Sequence, residues 1–147
     1  MKTFITVLVL IISSVFAVPY AFIERQDACD GFRITSPTQS GLQWTNGQCY
    51  QISFDGGNSP AGTYKVTSID LIDTSGNIIQ QQWTGSVDPA TQGYTPNFNL
   101  NLGSSPKNGD YKLRLYIQKT DGSATCNRDT VTFTGIYNQN SGFDKCP

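Results

Sequence analysis

The chain has 147 residues, 37% of them hydrophobic and 14% charged, a balance that suits one globular domain and excludes a disordered polymer. There is no histidine and a single glutamate, Glu24, so a Ser-His-Asp triad, a Cys-His pair and any His-ligated metal site are excluded. A formal net charge of -1 supplies no general positive field for gathering phosphates or an anionic membrane, which argues against nucleic acid as a partner.

Residues 1–17 read as a signal peptide. Lys2 is the positive start, an apolar run from Phe4 follows, and Val15-Phe16-Ala17 is a small-residue cleavage site. A membrane anchor is the competing reading, but the run is short for a span. Residues 18–30 carry no pattern and are expected to be an N-terminal tether, and 31–147 are expected to form the domain. The polar end Asn140-Ser-Gly-Phe-Asp-Lys-Cys-Pro147 has no hydrophobic tail of the kind a GPI signal requires, so no membrane anchor is expected after cleavage. No Asn-x-Ser/Thr sequon is present, and N-glycosylation is not expected.

From there the hydrophobic period is two, with no convincing helix. An opening strand is expected at 32–36, continuing near 42–44, and a second at 48–54 with Tyr50, Ile52 and Phe54 on one side. Strands at 64–73 and 78–83 flank a Thr74-Ser-Gly-Asn77 turn. The stretch 94–102 sets Phe98, Leu100 and Leu102 against Asn97, Asn99 and Asn101. The clearest strand is 110–119, where Tyr111, Leu113, Leu115 and Ile117 alternate with Lys112, Arg114, Tyr116 and Gln118. A closing strand at 125–136 turns Val131 and Phe133 inward. Lys107-Asn-Gly-Asp-Tyr111 reads as a corner whose tyrosine enters the 110–119 strand. About seven short strands parted by Gly, Pro and Asn turns predict an all-β fold, an Ig/fibronectin III-like antiparallel β-sandwich.

Cys29, Cys49, Cys126 and Cys146 are even in number, follow a signal peptide and lack Cys-x-x-Cys spacing, so disulfides are favoured over zinc. Sequence alone leaves three pairings open, and the expected topology selects one. If the opening strand runs up the sandwich, Cys29 and the start of the closing strand at Cys126 share the bottom. The start of the second strand at Cys49 and the chain end at Cys146 then share the top. Cys29–Cys126 and Cys49–Cys146 are the expected bonds.

Ile34-Thr-Ser-Pro37, Gly41-Leu-Gln-Trp44-Thr-Asn-Gly47 and Tyr50-Gln-Ile-Ser-Phe54 resemble the start of the Ig-like N-terminal domain of fungal Ser/Thr-rich GPI-anchored cell-wall proteins and of yeast proteins required for cell-wall β-glucan assembly. Gly109-Asp-Tyr111-Lys-Leu-Arg and Thr132-Phe-Thr-Gly-Ile136 are similar to that family's later strands. The family's Ser/Thr-rich stalk and GPI signal are not expected here. The resemblance implies structural roles for Pro37, Trp44, Gly47 and Tyr111, and a free, secreted, single-domain version of the family.

Trp44 and Trp83, with Tyr50, Tyr94, Tyr116 and Tyr137, are candidates for stacking on sugar rings, with Gln80-Gln-Gln82 and the Asn97, Asn99 and Asn101 row supplying amides for hydroxyls. Trp44 reads rather as core. That leaves Trp83 and Tyr116 as the carbohydrate-binding candidates. For catalysis the stock is aspartate: Asp70 and Asp73 are the closest pair on one strand, but a separation of three puts them on opposite faces. Asp55, Asp88 and Asp121 read as turn formers, and a calcium site at Asp55 and Asn58 reads rather as a turn. The expected protein is a secreted, extracellular, non-enzymatic fungal surface protein without cofactor or metal, concerned with cell-wall organisation or β-glucan assembly. Its expected partner is cell-wall polysaccharide or another surface protein. The alternative is a carbohydrate-binding module or a secreted effector recognising glucan, chitin or a host protein.

Overall fold

The computed structural model describes residues 29–60, 62–143 and 146–147. The expected signal peptide and residues 18–28 of the tether lie outside them. The described residues form ten strands and no helix: β1 (Arg33–Ser36), β2 (Gln43–Thr45), β3 (Cys49–Tyr50), β4 (Ser53–Asp55), β5 (Tyr64–Asp73), β6 (Ile78–Val87), β7 (Phe98–Asn99), β8 (Gly109–Lys119), β9 (Thr125–Asp129) and β10 (Phe133–Ile136).

One layer is a sheet in the order β2-β10-β8-β5-β6, with β9 also on β8. Its spine is the antiparallel β5/β8 pair, in register from Tyr64↔Lys119 to Asp73↔Tyr111. Val, Ile, Leu and Tyr at alternate positions make both strands good sheet formers with one apolar face. A bulge between Val66 and Ser68 resets the alternation, so Tyr64 and Val66 and then Ile69 and Leu71 point inward against Leu113, Leu115 and Ile117. The opposite layer is built of short pieces, β1 with β4 and β3 with β7, linked by a Ser53↔Tyr94 bridge. Phe32, Ile52, Phe54, Phe98, Leu100 and Leu102 come from that side and complete the core. The all-β sandwich expected from the period-two pattern is the fold observed.

Three expected strands are interrupted. The 48–54 strand splits into β3 and β4 because Ile52 leaves the ladder and exchanges bonds with Thr95, donating its N–H to Oγ1 and accepting from the Thr95 N–H. In the 94–102 strand only Phe98 and Asn99 stay in a ladder, since Pro96 has no N–H to give. The 125–136 strand bends between β9 and β10, where the Thr130 hydroxyl stands in for main chain and accepts the Leu113 N–H at 2.9 Å. The strand expected to stop at Trp83 runs on to Val87. The opening strand also changes layer. After β1 and a cis Ser36–Pro37 bond, β2 pairs with β10 in parallel, Trp44 opposite Gly135.

The structural residues of the motif lie where packing demands them. Trp44 is 8% exposed, stacked on Tyr50 at 4.2 Å and tilted against Phe133 at 4.7 Å. Pro37 is buried at the layer change. Gly47 has φ +85°, and a Cβ there would lie 2.3 Å from the Gly142 carbonyl oxygen, so no other residue fits. Tyr111 is buried and donates its hydroxyl to the Lys107 carbonyl at 2.9 Å, the expected corner. Both expected disulfides are present, Cys29–Cys126 with Cα atoms 5.9 Å apart and Cys49–Cys146 with Cα atoms 5.6 Å apart.

Candidate functional site

Trp83 and Tyr116, the two carbohydrate-binding candidates, lie on opposite faces of the sheet. Register partners in neighbouring strands point to the same side. Trp83 is level with Ile69, and Ile69 with the fully buried Leu115, so Trp83 faces the interior. It packs on the core with its ring over Gly85, where a Cβ would lie 2.3 Å from the indole. Tyr116 is level with Ser68 on β5 and Asn127 on β9, on the outer face.

The amides expected to meet sugar hydroxyls are largely spent inside the protein. Gln82 closes the margin between the layers: its amide donates to the Asn101 carbonyl at 2.9 Å and its oxygen accepts the Asn101 N–H at 2.8 Å. Asn99 donates to the Gly47 carbonyl, Asn97 to the Pro147 carbonyl, and the Asn101 oxygen accepts the Gly103 N–H. Tyr94 and Tyr137 are exposed, but Tyr94 belongs to the other layer and Tyr137 follows β10.

What remains on the outer face is a polar platform over β6, β5, β8 and β9. One cross-strand row is Thr84, Ser68, Tyr116 and Asn127, and the next is Gln81, Asp70, Arg114 and Asp129. Arg114 grips Asp129 with two parallel bonds, Nε to Oδ1 at 2.7 Å and Nη2 to Oδ2 at 2.8 Å. That pairing holds the guanidinium firmly protonated, above its ordinary range. Asp70 is 7% exposed, the one buried carboxylate among the described residues, and its Oδ1 has no hydrogen-bond partner among them. Burial first, then the charge of Asp70 and a hydrogen bond to it, push the Tyr116 phenol above its usual range.

Asp55, Asp73, Asp88 and Asp121 are occupied in turns. Asp73 accepts from Ser75 N, Asn77 N and Asn77 Nδ2, and the Asn77 bonds hold its carboxyl below the usual range. Asp55 accepts from Arg33 and from Gly57 N, Asp88 from Ala90 N and Gly62 N, and Asp121 from Ser123 N. Asp70 and Asp73 stand level with Arg114 and Tyr111, consistent with opposite faces. Among the described residues no three Asp, Glu, Cys or His side chains converge as a metal site.

From sequence Asp70 is only an acid set on the face opposite Asp73. Its burial was signalled by its place inside Ile69-Asp70-Leu71-Ile72, a polar residue within an apolar run. The Arg114–Asp129 pair had no signal in either strand alone, because it depends on the β8/β9 register. No protein-family model matches this chain, and no curated protein matches it.

Proposed function

We propose that this is a secreted, non-enzymatic surface protein that associates with cell-wall polysaccharide in wall organisation or β-glucan assembly. The observation that carries the reading is the polar platform centred on Tyr116, borne by a sandwich whose four cysteines are all paired. A polymer surface is met by a flat face that offers hydroxyls, amides and one aromatic ring, whereas catalysis at a glycosidic bond needs two carboxyl groups converging on it. Here Arg114 stands between Asp70 and Asp129 in their row. Disulfides persist in oxidising, extracellular surroundings, which supports secretion.

The test is retention of the oxidised mature chain on insoluble β-glucan, chitin and cellulose. Retention on one polymer is expected, and passage through all three would overturn the reading. A second reading, recognition of another surface or host protein, is favoured by Ile78 at 59% and Ile79 at 40% exposure at the start of the edge strand β6.

A further inference from the structure

We propose that the cleft between β1 and β9 seats residues 18–28 of this same chain, which fold back from Cys29 and run along β1 as an added antiparallel strand. The seat is independent of what the protein binds, and it closes a margin of the sandwich that neither sheet covers among the described residues.

The chain is already turned where the segment would begin. The Phe32 N–H bonds the Cys29 carbonyl at 2.9 Å and Gly31 takes φ +85°, a reverse turn that sends whatever precedes Cys29 back alongside β1. Among the described residues β1 pairs only with β4, so its other edge is open to an added strand. Phe54, level with Ile34 in that ladder, gives its N–H to the Gly93 carbonyl at 2.8 Å on the far side of β4. Alternation along an antiparallel ladder therefore makes Arg33 the residue that exchanges bonds with Asp55, and points the Ile34 N–H and carbonyl the other way, on the same edge as Phe32. Continued from the Cys29–Phe32 turn, the register sets Asp27 opposite Ile34 as the next hydrogen-bonded pair.

The cleft along that edge suits such a strand. It holds about 270 Å³, and Phe32, Ile34, Pro37 and Val131 form its apolar wall. On β9, Arg128 is level with the buried Leu115, so its side chain leans over the same margin, where it donates to the Cys29 carbonyl at 3.3 Å. Asp27, on the Ile34 side of the added strand, brings a carboxylate to that arginine. Beyond Ile34 a bulge in β1 resets the register, and reach decides the rest. Residues 18–28 at about 3.3 Å each span roughly 36 Å, more than the run from Phe32 to Thr38, so the apolar stretch Tyr20-Ala-Phe-Ile23 arrives at the end of the cleft walled by Pro37 and Val131. An edge occupied in this way is also withdrawn from pairing with other chains, the hazard of an open strand edge.

The experiment is NMR on the oxidised chain from Val18 onward, reading cross-strand nuclear Overhauser contacts and amide exchange at Asp27 and Ile34, with mixtures of isotope-labelled and unlabelled chain to separate contacts within one molecule from contacts between two. Contacts between the Asp27 and Ile34 amides are expected within one chain, together with a slowly exchanging Ile34 amide. Asp27→Pro deletes the N–H that the Ile34 carbonyl would accept, and should speed exchange at Ile34 roughly tenfold or more while the Arg33 amide, paired to β4, keeps its rate. Asp27→Ala, which keeps the N–H, should leave Ile34 nearly as slow as in the unaltered chain. Near-ultraviolet circular dichroism and absence of free thiol confirm that each variant is folded, and the contacts in the unaltered chain decide the matter without any variant. Absence of contacts between residues 18–28 and β1, contacts found only between molecules, or an Ile34 amide as slow in folded Asp27→Pro as in the unaltered chain would each overturn the seat.

Discussion

The two layers of the sandwich are held together differently. The β5/β8 layer relies on long main-chain ladders, with strands of 10 and 11 residues and a continuous apolar inner face. The opposite layer has ladders of two to four residues, and beyond them it is joined by isolated main-chain bonds, such as Thr95 N–H to the Ile52 carbonyl and Gly47 N–H to the Leu100 carbonyl, and by side chains: Thr95 to Ile52, Asn99 to Gly47, and Asn46, whose oxygen accepts the Leu102 N–H at 2.9 Å. Each disulfide has one cysteine on that thinly laddered side, Cys29 before β1 and Cys49 in β3. Covalent closure is placed where hydrogen bonding is sparse, and of the polar face on the long-laddered layer only β9, through Cys126, is tied into it.

The most severe way to break the contrast is to open a disulfide. Each spans 97 residues, for which chain-entropy reasoning gives about 4–5 kcal/mol, less than additive because the loops overlap. Cys49→Ser with Cys146→Ser should therefore cost several kcal/mol in denaturant unfolding, and an unchanged midpoint would count against the clamp.

Next comes the spine of the strong layer. Leu115 is fully buried between Ile69 and Arg128 in register, and Leu115→Ala should cost about 2–5 kcal/mol from lost burial and the cavity left behind. The same chemical denaturation series would read it.

Much of this frame was legible in the sequence. Period-two alternation located β5 and β8, Asp-Gly and Ser-Gly turns were read from local chemistry, and the strand directions chose the disulfide pairing among three. What escaped were effects without local signature. Irregularities in the β5/β6 register between Val66 and Ser68, between Ile69 and Asp70 and between Leu71 and Ile72 shift side-chain parity, and they decide that Trp83 points inward. Asn97, Asn99 and Asn101 look like a solvent ladder on their own strand, yet Asn97 and Asn99 bond main-chain groups far away in sequence and Asn101 bonds the main chain two residues on. The parallel β2/β10 pair is likewise invisible until the chain has changed layer.

A finer test of the weak layer is Thr95→Val, which keeps shape and deletes the hydroxyl that Ile52 N–H donates to at 3.2 Å. An orphaned buried N–H should cost about 1–3 kcal/mol, and a loss well below that would mean the side-chain links are decorative.

The smallest expected effect is acid sensitivity of the turns. Asp55, Asp73 and Asp121 all have carboxyl groups held below the ordinary range, Asp55 mainly by Arg33, Asp73 by Asn77 and Asp121 by Ser123. A carboxylate with a depressed folded-state pKa adds stability that is complete above the unfolded value and disappears as pH falls through the folded one. Melting temperature should thus stay level near neutrality and decline only below the normal aspartate range, and a decline beginning near neutral pH would point to other groups.

The contrast between the layers is tested most directly by residue-resolved hydrogen exchange on the oxidised chain and on the same chain after reduction. The expected result is slow exchange of β5 and β8 amides in both states, with protection of β1, β3 and β7 lost on reduction. Equal loss across both layers, or no loss in either, would contradict the claim that cystines hold the layer that ladders do not.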